Sequence, residues 1–228
     1  MNIEKEIENC EIFLKQIKKY DPDPFYVTHF LEQFIISSNK IFSGIFEEAN
    51  RDFGLFISQK ISEDTFKEKA NMKEDKDAIE FSKWFSIKFS EEHKNYYPKY
   101  IKKIFDFKNK FEKLPELKIM IRSSDRYKND FNQQIKIPLS QEKIRSNEEL
   151  KIEIKRQLPV FLEIINHKRS EKNEPRVEEN QVMASTFVDI ENEEVEIVYA
   201  IQIYISLLKR LVQESKKKID ELKKYHVS

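Results

Sequence analysis

EEVEIVYAIQIYISLLKRLVQESKKKIDELKK, residues 193–224, carries the clearest periodic signal in the chain. Val198, Ile201, Ile205, Leu208, Val212, Ser215, Ile219 and Leu222 follow one another at alternating steps of three and four. That is the spacing of a heptad seam, and it predicts a helix over 193–224. Tyr204, Leu207 and Leu211 widen the seam to a core-facing stripe. Lysines crowd its C-terminal end, where the helix dipole is negative. Such a helix needs partners for its apolar face, so the rest of the chain is expected to supply a helical bundle.

The N-terminal half meets that expectation. Ile3, Ile7, Cys10, Phe13, Leu14 and Ile17 recur at helical spacing and predict a helix over 3–20. DPDP at 21–24 stops it, because proline lacks an amide proton and pushes the preceding residue out of the α region. Asp23 caps the next helix and Pro24 enters its first turn. This second helix is read as running to about residue 60. Phe30, Phe34, Ile41, Ile45 and Phe53 lie on or near one side, with Ser37, Ser38, Ser43, Gly44 and Ala49 beside them. Small residues permit close helix approach, which places this helix centrally in a bundle. Residues 62–77 read as a polar link with room for a helical turn. A third helical region, 76–113, carries Phe81, Trp84, Phe85, Ile101, Ile104, Phe105 and Phe111, and Pro98 breaks or kinks it. Leu114-Pro115 opens a short helix over 115–127.

The stretch 131–190 differs in character. QQIKIPL (133–139), LKIEIK (150–155) and VMASTFVDI (182–190) show the alternating or β-branched runs of strands. Residues 166–180 read as a polar loop. The expected architecture is a single domain, 1–228, mainly α, with a small β-containing insertion at 131–190 before the long last helix.

Composition narrows the chemistry. Phenylalanine, at 18 residues, and tyrosine, at nine, supply core material that disordered chains lack. Only Gly44 and Gly54 are glycines, and neither a P-loop nor a dinucleotide-binding spacing is present. Lys+Arg and Asp+Glu balance at 41 each, so affinity for nucleic acid would have to come from a local patch. The one cysteine, Cys10, makes no internal disulfide, which fits a reducing cytoplasm. There is no signal-peptide core, and no apolar run approaches the ~18 residues of a membrane span. No membrane association and no cofactor are expected.

His29, His93, His167 and His226 stand too far apart for a helical metal pair, so no metal site is expected. FEEANRDF (46–53) places Glu47 and Arg51 four apart on one helix face, a solvated ion pair or a polar patch bordering a groove. The lysine-rich tail (216–224) beside Tyr225 reads as a solvated terminus more readily than as a nucleic-acid patch. In IMIRSSDRYKND (119–130), Arg122, Asp125, Arg126 and Lys128 cluster within seven positions.

A first helix carrying FLKQ, the DPDPFYV break and the long FLEQFIISSNKIFSGIFEEANRDFG helix together resemble the first helix pair of HEPN (higher eukaryotes and prokaryotes nucleotide-binding) domains. FSKWF (81–85) stands where that family has a Trp-bearing helix, and LPELKIMIRSSDRYKND (114–130) where it carries an arginine-led element. The likeness covers about residues 8–130 and the last helix. It implies a HEPN-like bundle, a homodimer and, in active members, a metal-independent ribonuclease with an R-x4–6-H motif. In that chemistry the histidine handles protons and the arginine neutralises the phosphorane. Arg122 matches the motif arginine and Ser123 its polar follower. The histidine is missing: Tyr127, Lys128 and Asn129 occupy the three permitted positions. Histidine titrates at about 6.5, whereas tyrosine and lysine titrate at about 10 and 10.4, so neither replaces it without a large shift. The resemblance thus implies a catalytically degenerate protein that binds RNA or nucleotide, or an interaction module with an antitoxin-like partner in a defence or toxin–antitoxin setting. In the binding reading, Arg122, Arg126 and Lys128 contact phosphate and Asp125 orients an arginine. The alternatives are an active ribonuclease with a non-standard proton-transfer group and a purely structural interaction protein.

Overall fold

A computed structural model describes residues 2–111, 114–124, 133–135 and 146–224. The chain is mainly α, with a small antiparallel sheet ahead of the long C-terminal helix. It divides into two compact units. One comprises Met1–Lys15, Leu31–Lys113 and Tyr199–Ser228; the other comprises Gln16–Phe30 and Leu114–Val198. The insertion expected at 131–190 thus falls inside a unit that begins at Leu114 and includes residues 16–30.

The helices are α1 (Ile3–Tyr20), α2 (Pro24–Asp52), α3 (Glu63–Met72), α4 (Lys76–Glu92) and α5 (Tyr96–Phe111), then α6 (Asn147–Glu171) and α7 (Ile197–Lys224). Local chemistry explains most of their ends. The Asp23 carboxylate accepts from the Phe25 amide at 3.1 Å, the expected cap of α2. That helix stops at Asp52, short of residue 60. Gly54, at φ +60°, sends its amide back to the Arg51 carbonyl, and the Leu55 amide returns to Asn50. This pair of bonds is the glycine-led helix stop, with buried Leu55 as its apolar anchor. Ser62 and Thr65 form a capping box that opens α3 within the supposed link. Asp75 caps α4. The break in the third helical region falls at His93–Asn95, with Pro98 in the first turn of α5, where no intrahelical amide bond is lost.

In the first unit, Phe46 of α2 is ringed by Phe66 of α3 at 5.3 Å and by Phe81 and Phe85 of α4 at 6.2 and 4.8 Å. Tyr204 of α7 is fully buried against Phe34 and Phe105. The small side of α2 behaves as expected. Ser38 is buried and its hydroxyl lies 3.7 Å from the Cys10 thiol of α1. The α7 seam is consumed within the chain, since every position from Val198 to Leu222 in it is buried. The seam is therefore spent on this chain's own core, and a dimer resting on it loses its basis.

In the second unit the strands are β1 (Leu117–Ser123), β2 (Gln133–Ile135), β3 (Val182–Ile190) and β4 (Glu193–Glu196), in the order β2-β1-β3-β4, all neighbours antiparallel. The expected strand over 182–190 is present as β3. Of QQIKIPL, only 133–135 are described, as β2; residues 136–139 lie outside the described residues.

Three expectations are corrected here. The short helix over 115–127 is instead strand β1. Its residues are buried on both faces, Ile119 and Ile121 on one and Met120 and Arg122 on the other, and a doubly buried strand shows no period of two. LKIEIK is not a strand but the second turn of α6. Ser146 and Glu149 form a capping box, and Leu150, Ile154 and Ile165 face the sheet residues Ile119, Ile121 and Val182. Ile152 is 69% exposed, and that one apolar residue on the outer side made the stretch alternate. The last helix begins at Ile197, because 193–196 is β4. Glu191 and Asn192 both have positive φ and make the tight turn of a β3–β4 hairpin without a glycine to mark it.

Candidate functional site

Arg122 is the residue on which the sequence-based site depends. Strand β1 sets it on the sheet face opposite α6, and it is only 4% exposed. Its Nη2 donates to Glu196 Oε1 at 2.9 Å, Nη1 to the Ser123 carbonyl at 2.8 Å and Nε to Ser185 Oγ at 3.3 Å. The register explains the grouping. Ser185 opposes Met120, one diagonal step from Arg122, and Glu196 closes β4 on the far side of β3. A guanidinium so surrounded neutralises a buried carboxylate.

The cluster extends through the turn before α2. Asp21 accepts both the amide and the hydroxyl of Thr186, at 2.8 and 2.6 Å. Burial pushes the Asp21 carboxyl up; bonds from Thr186 and Ser185 and the Arg122 charge pull the other way without cancelling it. The Asn147 side-chain amide donates to the Tyr20 carbonyl at 3.0 Å, tying the start of α6 to the same turn. Arg122, Glu196, Ser185, Asp21 and Thr186 thus form a buried polar network. Glu196 and Asp21 were not read as partners of Arg122 from sequence; they stand 74 and 101 positions away, with no local signal.

Asp125, Arg126 and Lys128, with Tyr127 and Asn129, lie outside the described residues. Glu47 is half-buried and Arg51 exposed on α2. Around them, Asn50 accepts from the Ile57 amide at 3.0 Å and Asp52 meets Lys223 at 3.0 Å, so this patch supports the end of α2. Lysines of the tail are engaged too. Lys216 meets Glu4 at 3.7 Å and Lys218 meets Glu80 at 2.6 Å. Among the described residues no group of three metal-ligating side chains occurs, and no helix is long and apolar enough to cross a membrane.

His93, at the end of α4, is buried. Its Nδ1 lies 2.6 Å from the Phe89 carbonyl and its Nε2 3.1 Å from the Tyr204 hydroxyl. A carbonyl only accepts, so Nδ1 carries the proton and Nε2 accepts from tyrosine. Burial holds the imidazole below its ordinary range and pushes the Tyr204 phenol well above its own. This pair is a core fastening between α4 and α7. A groove of about 300 Å³ between α3 and α4 is lined by Lys67, Lys83, Asn71, Ser86, Ile79 and Ile87. In comparisons with known proteins the chain matches no family model, no curated protein and no solved structure.

Proposed function

We propose that this chain is a catalytically degenerate, HEPN-like protein that acts by binding, as an interaction module of a defence or toxin–antitoxin type system. One observation carries the non-catalytic part. The arginine that the motif would send to phosphate is buried and ion-paired with Glu196 at 2.9 Å. Freeing it for substrate would break this buried ion pair, at a cost of about 3–5 kcal/mol. The absent histidine removes the proton carrier as well. Any RNA contact then falls to Arg126 and Lys128, and an antitoxin-like protein is the other partner the reading admits.

The test uses fluorescein-labelled single-stranded RNA in the presence of EDTA. No cleavage is expected. If Arg126 and Lys128 each release one counterion, affinity falls about 25-fold between 20 and 200 mM salt, and Arg126→Ala/Lys128→Ala flattens that dependence. Absence of binding at 20 mM salt leaves a protein-only interaction module. EDTA-resistant cleavage by the wild-type protein overturns the proposal in favour of a ribonuclease.

A further inference from the structure

Helices α3 and α4 are joined by Lys73–Asp75 and fold back on each other, with the rings of Phe66 and Phe81 5.9 Å apart. In such a hairpin, residues equally far from the turn stand opposite each other. Lys67 and Lys83 are each eight positions from Asp75, and Asn71 and Ile79 each four. The helical period completes the arrangement. Lys67 and Asn71 are one turn apart on α3, and Ile79, Ser82, Lys83, Ser86 and Ile87 share one face of α4. Between these faces lies the groove of about 300 Å³.

None of the residues lining the groove is acidic. Among the described residues neither Lys67 nor Lys83 makes an ion pair or a hydrogen bond. Glu63, one turn before Lys67, does not pair with it, and Glu80, one turn before Lys83, is taken by Lys218 at 2.6 Å. Two like charges thus share one groove with no compensation from the chain, and a bound anion relieves their repulsion. The groove also holds donors. Ser82 is only 3% exposed, lines the groove, and its hydroxyl has no partner among the described residues. A buried hydroxyl ordinarily has one. The unpartnered hydroxyl of Ser215 is sealed in the core; that of Ser82 is not, so an acceptor in the groove can reach it. The exposed Asn71 amide and Ser86 hydroxyl supply further donors.

We propose that the groove between α3 and α4 binds a small phosphomonoester. Its phosphate carries about two negative charges at neutral pH and three terminal oxygens, which match two ammonium groups and the donors of Ser82, Ser86 and Asn71. A carboxylate brings half the charge and one oxygen fewer. The organic part of the ester lies along Ile79 and Ile87, the second of which is 61% exposed. The groove stands at the small end of ligand sites, with room for a phosphate bearing one ring or a short chain. Exposed lysine heads hold an anion weakly, so the dissociation constant is on the order of 1 mM. The site shares no residue with the Arg122 network and does not rest on the function proposed above.

The test is an amide-shift titration of the ¹⁵N-labelled full chain with phenyl phosphate, from about 0.1 to 20 mM near pH 7.5 at constant ionic strength. Saturating shifts are expected at Lys67, Asn71, Ser82, Lys83 and Ser86, with inorganic phosphate moving the same amides at lower affinity. Phenyl sulfate has the same ring and a single charge, and should bind about fivefold more weakly or worse. Lys67→Gln/Lys83→Gln should weaken phenyl phosphate at least tenfold. Ser82→Ala separates binding from structure. It should weaken binding about threefold while the urea midpoint stays at or above that of wild type, because it removes a hydroxyl that the fold leaves unpartnered. Shifts that do not saturate by 20 mM, or that centre outside α3 and α4, overturn the proposal. So do equal affinities for phenyl phosphate and phenyl sulfate, or a lysine double variant that binds as wild type does. A Ser82→Ala variant that binds as wild type or loses stability overturns it as well.

Discussion

Replacing Arg122 by methionine keeps an unbranched stem and removes the charge and three donated bonds. It takes away the guanidinium paired with Glu196, whose side chain is 8% exposed. Breaking a buried pair from one side costs about 3–5 kcal/mol, most of it the stranded charge. With a urea slope of about 2–3 kcal/mol/M for a chain of this size, the unfolding midpoint should fall by roughly 1–2 M. Glu196→Gln should produce a loss of the same sign. The double variant Arg122→Met/Glu196→Leu should recover most of it, since replacing a whole buried pair by apolar groups is often neutral or better. The measurement is far-UV circular dichroism against urea for wild type and the three variants. A loss below about 1 kcal/mol for Arg122→Met, with no recovery in the double variant, would show a solvated arginine. That result would refute the structural role given to it and return Arg122 to the set of groups available to phosphate.

Three further outcomes follow from buried groups. His93 titrates below 6.5 in the fold, so the unfolded chain binds the extra proton first; stability is fully present above about pH 6.5 and is lost as the pH falls below it. Urea midpoints at pH 7.5 and 5.5 should show that drop in wild type and a smaller one in His93→Gln. Asp21 has the opposite sign, because its folded carboxyl is raised: the native state holds the proton longer, and stability declines as pH rises from about 3.8 through the folded value. Asp21→Asn, which keeps an acceptor for Thr186, should flatten that decline; an unchanged profile would contradict the burial of the carboxyl. Burial pushes the Cys10 thiol up to about 12, so Ellman's reagent at pH 8 should leave native protein unlabelled and react fully in denaturant. Labelling within seconds in the native state would contradict the α1–α2 packing.

The features legible in the sequence were those with local causes. The α7 seam, the stop at DPDP and the Asp23 cap each depend on residues within one or two turns, and each stands in the fold as read. The misreadings have local causes too. Strand β1 is buried on both faces and shows no alternation. One exposed isoleucine, Ile152, lent α6 the look of a strand. The second helix, read to about residue 60, stops at Asp52, and the cause shows only in the bonds from Gly54 and Leu55 back to Arg51 and Asn50.

Arg122 divides the two kinds of information. From sequence it is an arginine with a serine behind it and no histidine ahead, which weakens catalysis and leaves phosphate binding open. Whether it meets solvent or Glu196 depends on strand order, and strand order brings together residues 74 positions apart. Helix periods, caps and stops were determined by the sequence alone because hydrogen bonds three to five residues long carry them. The fate of a buried charge was decided by the tertiary structure, because only packing sets which partner and how little water surround it.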